Sequence, residues 1–400
     1  MSIIRSSLIV FFLSQTLLVK DQFSLILSLI PPILWILMWV RKSWSLPPLL
    51  IVSIACWGMI LWNVGAQGRT LVTTIPPVGA GSDELMFLRT FHLFQGGSDY
   101  YAAYFQATID GMTARHLTTD VFTWRLPTLT YLWSLFFDSG IHIQRAFIFL
   151  CLLLLPTSII LLKDSLRPPF AFLGGLILMP YVADSLAYRT AFLFHEWWGL
   201  LFFLFGLAMV RLKKYALAII LLSLSVLIRE LFILPLGFLL LFTLFGKKRT
   251  HPWIFLLPMI IFGLAFLFHT RSIQSFPLAL EAPSTNRLHV FDFTLFQRMI
   301  AFSMRQYLLT PFFVNRIFLF LSFLAISVMF LRGSKQAGVV LLSFLLTGLT
   351  LAFIGNINND YWGIVFFPIL IFGSILTIQP TIKNNDNRLI EFPRRRTGVS

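Results

Sequence analysis

Charge is what this chain has least of. Only 12% of its 400 residues are Asp, Glu, Lys or Arg, against about 25% in ordinary soluble domains. With 58% hydrophobic residues and a mean hydropathy of +0.84, that scarcity excludes a water-soluble fold, which would have nowhere to hide so much apolar surface. Acidic residues are scarcest of all, 16 against 31 Lys and Arg. On a soluble protein a net charge of +15 would suggest nucleic acid. Here the basic residues sit between apolar runs, where topogenesis puts them in membrane proteins, so no nucleic-acid partner is expected. Cysteine is nearly absent: Cys56 and Cys151 both lie inside apolar runs, which excludes a disulfide framework or a cysteine-built zinc site. No hydrophilic segment is long enough for a second core, which excludes a separate soluble domain.

What the chain does have is apolar runs. They fall near Ser6–Val19, Phe23–Val40, Pro47–Ala66, Ala146–Leu162, Pro169–Leu186, Trp197–Val210, Tyr215–Ile228, Leu231–Phe245, Trp253–His269, Arg316–Leu331, Gly338–Ile354 and Tyr361–Leu376. The expected fold is all-α: a polytopic membrane protein of about 12 helices, the first of them short of the roughly 20 residues a span needs. Residues 1–381 form one integral unit with an external acidic loop, 67–144, and 382–400 is a basic cytoplasmic tail. The apolar run Leu126–Phe137 is short and opened by Pro127. If it crossed, every later lysine loop would change sides, so it is expected to lie in the interface.

Lysine sets the orientation. Lys42, Lys163, Lys213, Lys214, Lys247, Lys248, Lys335 and Lys383 occupy alternate loops or the tail, and the positive-inside rule makes those loops cytoplasmic. Lys20 is the exception. The opposite side is rich in arginine, among them Arg89, Arg125, Arg189 and Arg229. Arginine offers a planar fork of donors that fits phosphate oxygens, where lysine is a point charge; anchoring in headgroups is the plainer reading of many of them. The runs Tyr215–Ile228 and Leu231–Phe245 are also short. They must meet at Arg229-Glu230 below the outer headgroups, which local thinning or a water-filled cavity allows.

Ionisable groups near a bilayer are expensive to desolvate and are therefore functional candidates. One cluster is Gly81-Ser82-Asp83-Glu84 and another Gly96-Gly97-Ser98-Asp99-Tyr100-Tyr101. Asp99, Asp83 and Glu84 each suit either a helix cap or a general base that takes a proton from an attacking hydroxyl. Asp110, before Gly111, reads as an ordinary turn residue. A third cluster joins Tyr188-Arg189 to His195-Glu196-Trp197-Trp198, and a fourth is Arg229-Glu230, which also reads as a self-satisfying structural pair. Asp83 and Glu84 are the one adjacent acidic pair that could take a divalent cation; adjacency alone does not decide it.

In order and topology these residues resemble the GT-C superfamily of polytopic glycosyltransferases, which take sugars from polyprenyl-phosphate donors. The resemblance runs from Pro47 to Leu376. It rests on Asp83-Glu84 and Gly97-Ser98-Asp99-Tyr100-Tyr101 in the first external loop and Arg125-Leu126-Pro127 opening an interfacial segment. It continues through a helix opening with Arg145, the turn from Tyr188-Arg189 to His195-Glu196, the tip Arg229-Glu230, and a late tip at Tyr361-Trp362. The chain departs from the family in its extra N-terminal hairpin and in having no large soluble C-terminal domain. The resemblance implies a transferase in a cell membrane, by expectation the bacterial cytoplasmic membrane, with its site on the extracytoplasmic side. It implies as partners a polyprenyl-phosphate-linked sugar, a hydroxyl acceptor and membrane lipids, with no obligatory cofactor. Asp99 or Asp83 would be the base. Arg125, Arg189 and Arg229 would hold the donor phosphate, and Tyr100, Tyr101, His195, Glu196, Trp197 and Glu230 would position substrate. A transporter, flippase or polymerase of lipid-linked saccharides is the competing expectation.

Overall fold

The computed structural model describes residues 46–66, 83–111, 124–162, 190–245, 251–274 and 346–353, with scattered positions at 27–37, 172–182, 295–299, 342 and 362–364. Arg189, the tail 382–400, and the expected spans before residue 46, at Pro169–Leu186 and after residue 300 lie outside the described residues or only partly within them. The described residues are helical, with no strand among them.

The helices are α1 Leu46–Ala66, α2 Asp83–Gln95, α3 Tyr100–Gly111, α4 Thr128–Phe136, α5 Gly140–Leu162, α6 His195–Arg211, α7 Tyr215–Ile228, α8 Ile233–Phe245 and α9 Trp253–Gln274. Two stretches, Gly140–Leu161 and Trp253–Gln274, are long and apolar enough to cross a membrane. Shorter apolar stretches are Pro47–Asn63, Tyr215–Ile228 and Glu230–Leu244. Large apolar side chains lie exposed along the whole of α9, from Trp253 through Leu257, Ile260 and Leu264 to Phe268. A strip of that length is unusual on a soluble monomer and suits lipid.

The acidic loop folds into a pair of packed helices. Gly97, at φ 96, ends α2, with Ser98 N–H reaching Leu93 O at 3.2 Å and Gly97 N–H reaching Phe94 O at 3.0 Å; this left-handed cap satisfies the last carbonyls. Two residues on, Asp99 starts α3 by accepting from the N–H of Tyr101 at 2.9 Å, as an N-cap does. Arg89 on α2 then grips Asp110 on α3, Nε and Nη2 reaching Oδ2 at 2.9 and 2.5 Å. Asp110 is thus no idle turn residue. It lies inside the helix and fastens the pair.

Pro127 stands before α4, a nine-residue helix, far too short to cross. Its inner face buries Leu129 and Trp133 while Leu135 and Phe136 stay exposed. α5 begins six residues earlier than the apolar run suggested, because Asp138 and Ser139 build its start. The His142 imidazole, at 2.5 Å, and then the Ser139 hydroxyl hold the Asp138 carboxyl below the usual carboxylate range. Arg145 therefore sits in the second turn rather than at the opening, stacked over Trp62 of α1 at 5.4 Å.

α6 and α7 form a tight antiparallel hairpin. Lys213 turns it at φ 59, with Lys214 N–H on Met209 O at 2.9 Å. Gly206 lets Leu222 approach so closely that a Cβ there would stand 2.7 Å from it, and a Cβ on Gly199 would stand 2.6 Å from Phe232. Small residues at such a seam are how helices pack without help from water. Ser225 Oγ donates across it to Gly199 O at 2.8 Å. The hairpin is flanked by α5 and α9.

These contacts give the bundle two distinct ends. At one, the Arg211 guanidinium reaches Leu161 O at 3.4 Å, bringing the C-termini of α5 and α6 together beside Lys213 and Lys214. The rings of Tyr215 and His251 meet there at 5.7 Å. At the other end are the starts of α5 and α6, the break between α7 and α8, and the last turn of α9.

Candidate functional site

The acidic and guanidinium groups gather at that second end. Arg229 caps the C-terminus of α7, in extended conformation at φ −145. Glu196 is in the first turn of α6, whose preceding residue Phe194 provides no side-chain cap. In an antiparallel hairpin these places lie side by side. Each charge also suits its own helix end, a cation at a C-terminus and an anion at an N-terminus.

Arg229 Nε and Glu196 Oε1 approach to 2.6 Å, with the two side chains only 1% and 2% exposed. The contact lies off the N–H direction, so it is a charge contact more than a directed hydrogen bond. On its other side Arg229 Nη1 bonds Glu230 Oε1. The same oxygen lies 4.0 Å from Arg125 Nη1, where the side chains are 14% exposed for Arg125 and 23% for Glu230. Arg229 Nη2 is buried with no hydrogen-bond partner. The result is a chain of alternating charge, Glu196–Arg229–Glu230–Arg125, that starts in the core and ends at partly exposed side chains.

His195 stands beside it, buried, with neither ring nitrogen hydrogen-bonded. Its walls are aromatic. The Phe87 ring of α2 lies 4.4 Å away edge-on and Trp133 of α4 6.2 Å away. Neither residue stood out in the sequence, where phenylalanine is everywhere. Arg125 is held from behind, its carbonyl accepting the Tyr100 hydroxyl at 2.6 Å. Burial, and then the neighbouring Tyr104 and Tyr101 phenols, push the Tyr100 hydroxyl well above its usual range. It remains a donor at any ordinary pH. Tyr101 meets His269 of α9, its hydroxyl 3.0 Å from Nδ1, which ties the acidic loop to the bundle.

Of the expected site residues, Arg125, His195, Glu196, Arg229 and Glu230 converge, with Tyr100 behind them. Arg229 and Glu230 do not satisfy only each other; Glu196 and Arg125 complete the set. Trp197 is packed in the core at 1% exposure. Asp99 is exposed and turned to its capping role, Oδ2 taking the Tyr101 and Ala102 amides. Asp83 and Glu84 form the half-buried first turn of α2. Asp83 is four residues before Phe87 and so shares the helix face that meets His195. Among the described residues no three His, Cys, Asp or Glu side chains come together as metal ligands.

No family model matches the chain, and neither a curated protein nor a solved structure matches it.

Proposed function

We propose that this is a multi-pass membrane glycosyltransferase that moves one sugar from a polyprenyl-phosphate donor to a hydroxyl acceptor at the extracytoplasmic face. The observation that carries the reading is the arginine–glutamate chain. Four charged side chains from three distant segments meet at one end of an apolar bundle, where a lipid-borne head group would present its phosphate. Lysines gather at the opposite end, the cytoplasmic one by the positive-inside rule. On this reading the remaining apolar runs are further spans, about 12 in all.

In the reaction the acceptor oxygen attacks the anomeric carbon as its proton passes to a carboxylate. The bond from that carbon to the phosphate oxygen breaks, and its electron pair leaves with the phosphate. Attack opposite the leaving group inverts the anomeric centre. Arg125 and Arg229 stabilise the charge that grows on the phosphate. Asp83 is the favoured base, because Phe87 brings its helix face to His195, whereas Asp99 spends an oxygen on two amides. Glu196 holds Arg229 in place, and Tyr100 holds Arg125. A transporter or flippase would share the arginines, but it would want charges mid-helix lining a two-sided path. Among the described residues the buried carboxylate and guanidinium groups, Glu196 and Arg229, lie at one end.

The test is transfer from radiolabelled polyprenyl-phosphate hexoses by the purified protein in lipid vesicles. Asp83→Asn is expected to slow transfer by about 100-fold or more, the usual worth of a base, and Asp99→Asn to slow it far less. Parent rates in both variants would remove the assigned base. No transfer by the parent protein from any such donor would remove the enzyme itself.

A further inference from the structure

We infer that Glu230 occupies, at rest, the seat that the donor phosphate takes, and that this exchange tunes the site to a phosphodiester with a single negative charge rather than to a diphosphate; the inference rests on the glycosyltransferase reading above. A single carboxylate oxygen, Oε1, faces guanidinium nitrogens of both Arg229 and Arg125. One anionic oxygen shared by two guanidiniums is what a bound phosphate presents.

The two glutamates of the cluster are not equivalent. Glu196 is 2% exposed and meets Arg229 at Nε; Glu230 is 23% exposed and meets it at Nη1. Glu230 also begins a short turn, Glu230–Phe232, at the break between α7 and α8, so its side chain can swing outward without opening a helix. When it does, Arg229 keeps Glu196 and is never left as an unpaired buried cation, the costly outcome. The unpartnered Arg229 Nη2 can then donate to a second oxygen, which Glu230 in its resting place does not supply. Counting the four side chains, two positive charges cancel two negative ones at rest. With Glu230 withdrawn one positive charge is left over. A phosphodiester neutralises it, and a diphosphate exceeds it.

Binding of a polyprenyl-phosphate hexose and of a polyprenyl-diphosphate hexose to the purified protein, measured by native mass spectrometry, tests this. Wild type should favour the monophosphate. Glu230→Gln should tighten both, on the order of tenfold for the monophosphate and more for the diphosphate, narrowing the discrimination. Glu230→Asp keeps the charge but draws it back from Arg125, and should tighten the monophosphate by less. Size-exclusion profiles report folding; if Glu230→Gln fails to fold, Glu230→Asp decides. Monophosphate binding that neither substitution tightens overturns this inference and leaves the enzyme reading standing. If neither lipid binds the wild type or any variant, both fall together.

Discussion

The two ends of the α6–α7 hairpin are built from opposite chemistry. At one, Lys213 and Lys214 stand exposed on a three-residue link set by backbone hydrogen bonds. At the other, Arg229 is as buried as the tryptophans around it, and it is kept there by two carboxylates. Both ends carry basic residues. Only one has spent structure on its charge. A solvated lysine costs the fold nothing, whereas a buried guanidinium with its counter-ions is weak as a stabiliser and therefore points to use.

The largest effect that would break this contrast is at Glu196. Glu196→Gln should destabilise the protein by about 3–5 kcal/mol, the cost of stranding a buried partner, read as thermal unfolding in detergent. Lys214→Ala should stay within about 0.5 kcal/mol of the parent. Equal losses at the two ends would erase the distinction. Next is the seam between them. Gly199→Ala should cost about 1–3 kcal/mol through overpacking against Phe232, and it should impair transfer as well, because the same Cβ would stand 3.1 Å from Arg229 Cβ. Gly206→Ala, farther from the arginine, should show the stability loss without a matching loss of turnover. Arg125→Lys retains charge but loses the fork; donor kcat/KM should fall about tenfold or more, with unfolding little changed. Smaller again, Tyr101→Phe removes the hydroxyl that meets His269 and should cost about 1 kcal/mol. Smallest, Lys213→Gly should stabilise the lysine end by up to about 1 kcal/mol, since glycine takes φ 59 without strain.

Much of this was legible in the sequence for a simple reason: a charged residue at the end of an apolar run has few places to go. That logic gave the helix Tyr215–Ile228 to the residue, and it marked Arg125, His195, Glu196, Arg229 and Glu230 before any fold was known. It could not pair them. Which carboxylate meets which arginine depends on the antiparallel register of α6 and α7, and that register is set by what Gly199 and Gly206 leave out. It also misjudged the acids of the loop. A glycine after Asp110 suggested a turn, while the partner that gives the residue its role, Arg89, is 21 positions away on another helix. Asp99 kept both of its sequence readings, and the geometry favours the cap. The aromatic walls, Phe87 and Trp133, gave no signal in a chain with 44 phenylalanines and 11 tryptophans.

The brevity of the Lys213 turn bears on how the protein is made. If the hairpin inserts in a membrane, as the proposed function requires, two helices joined by so short a link go in as one object, and the arginine at the far end of the second arrives beside the glutamate that opens the first. The insertion machinery would then never have to release a lone cation into lipid. It would be handed a neutral pair, already matched by the order in which the ribosome delivered its halves.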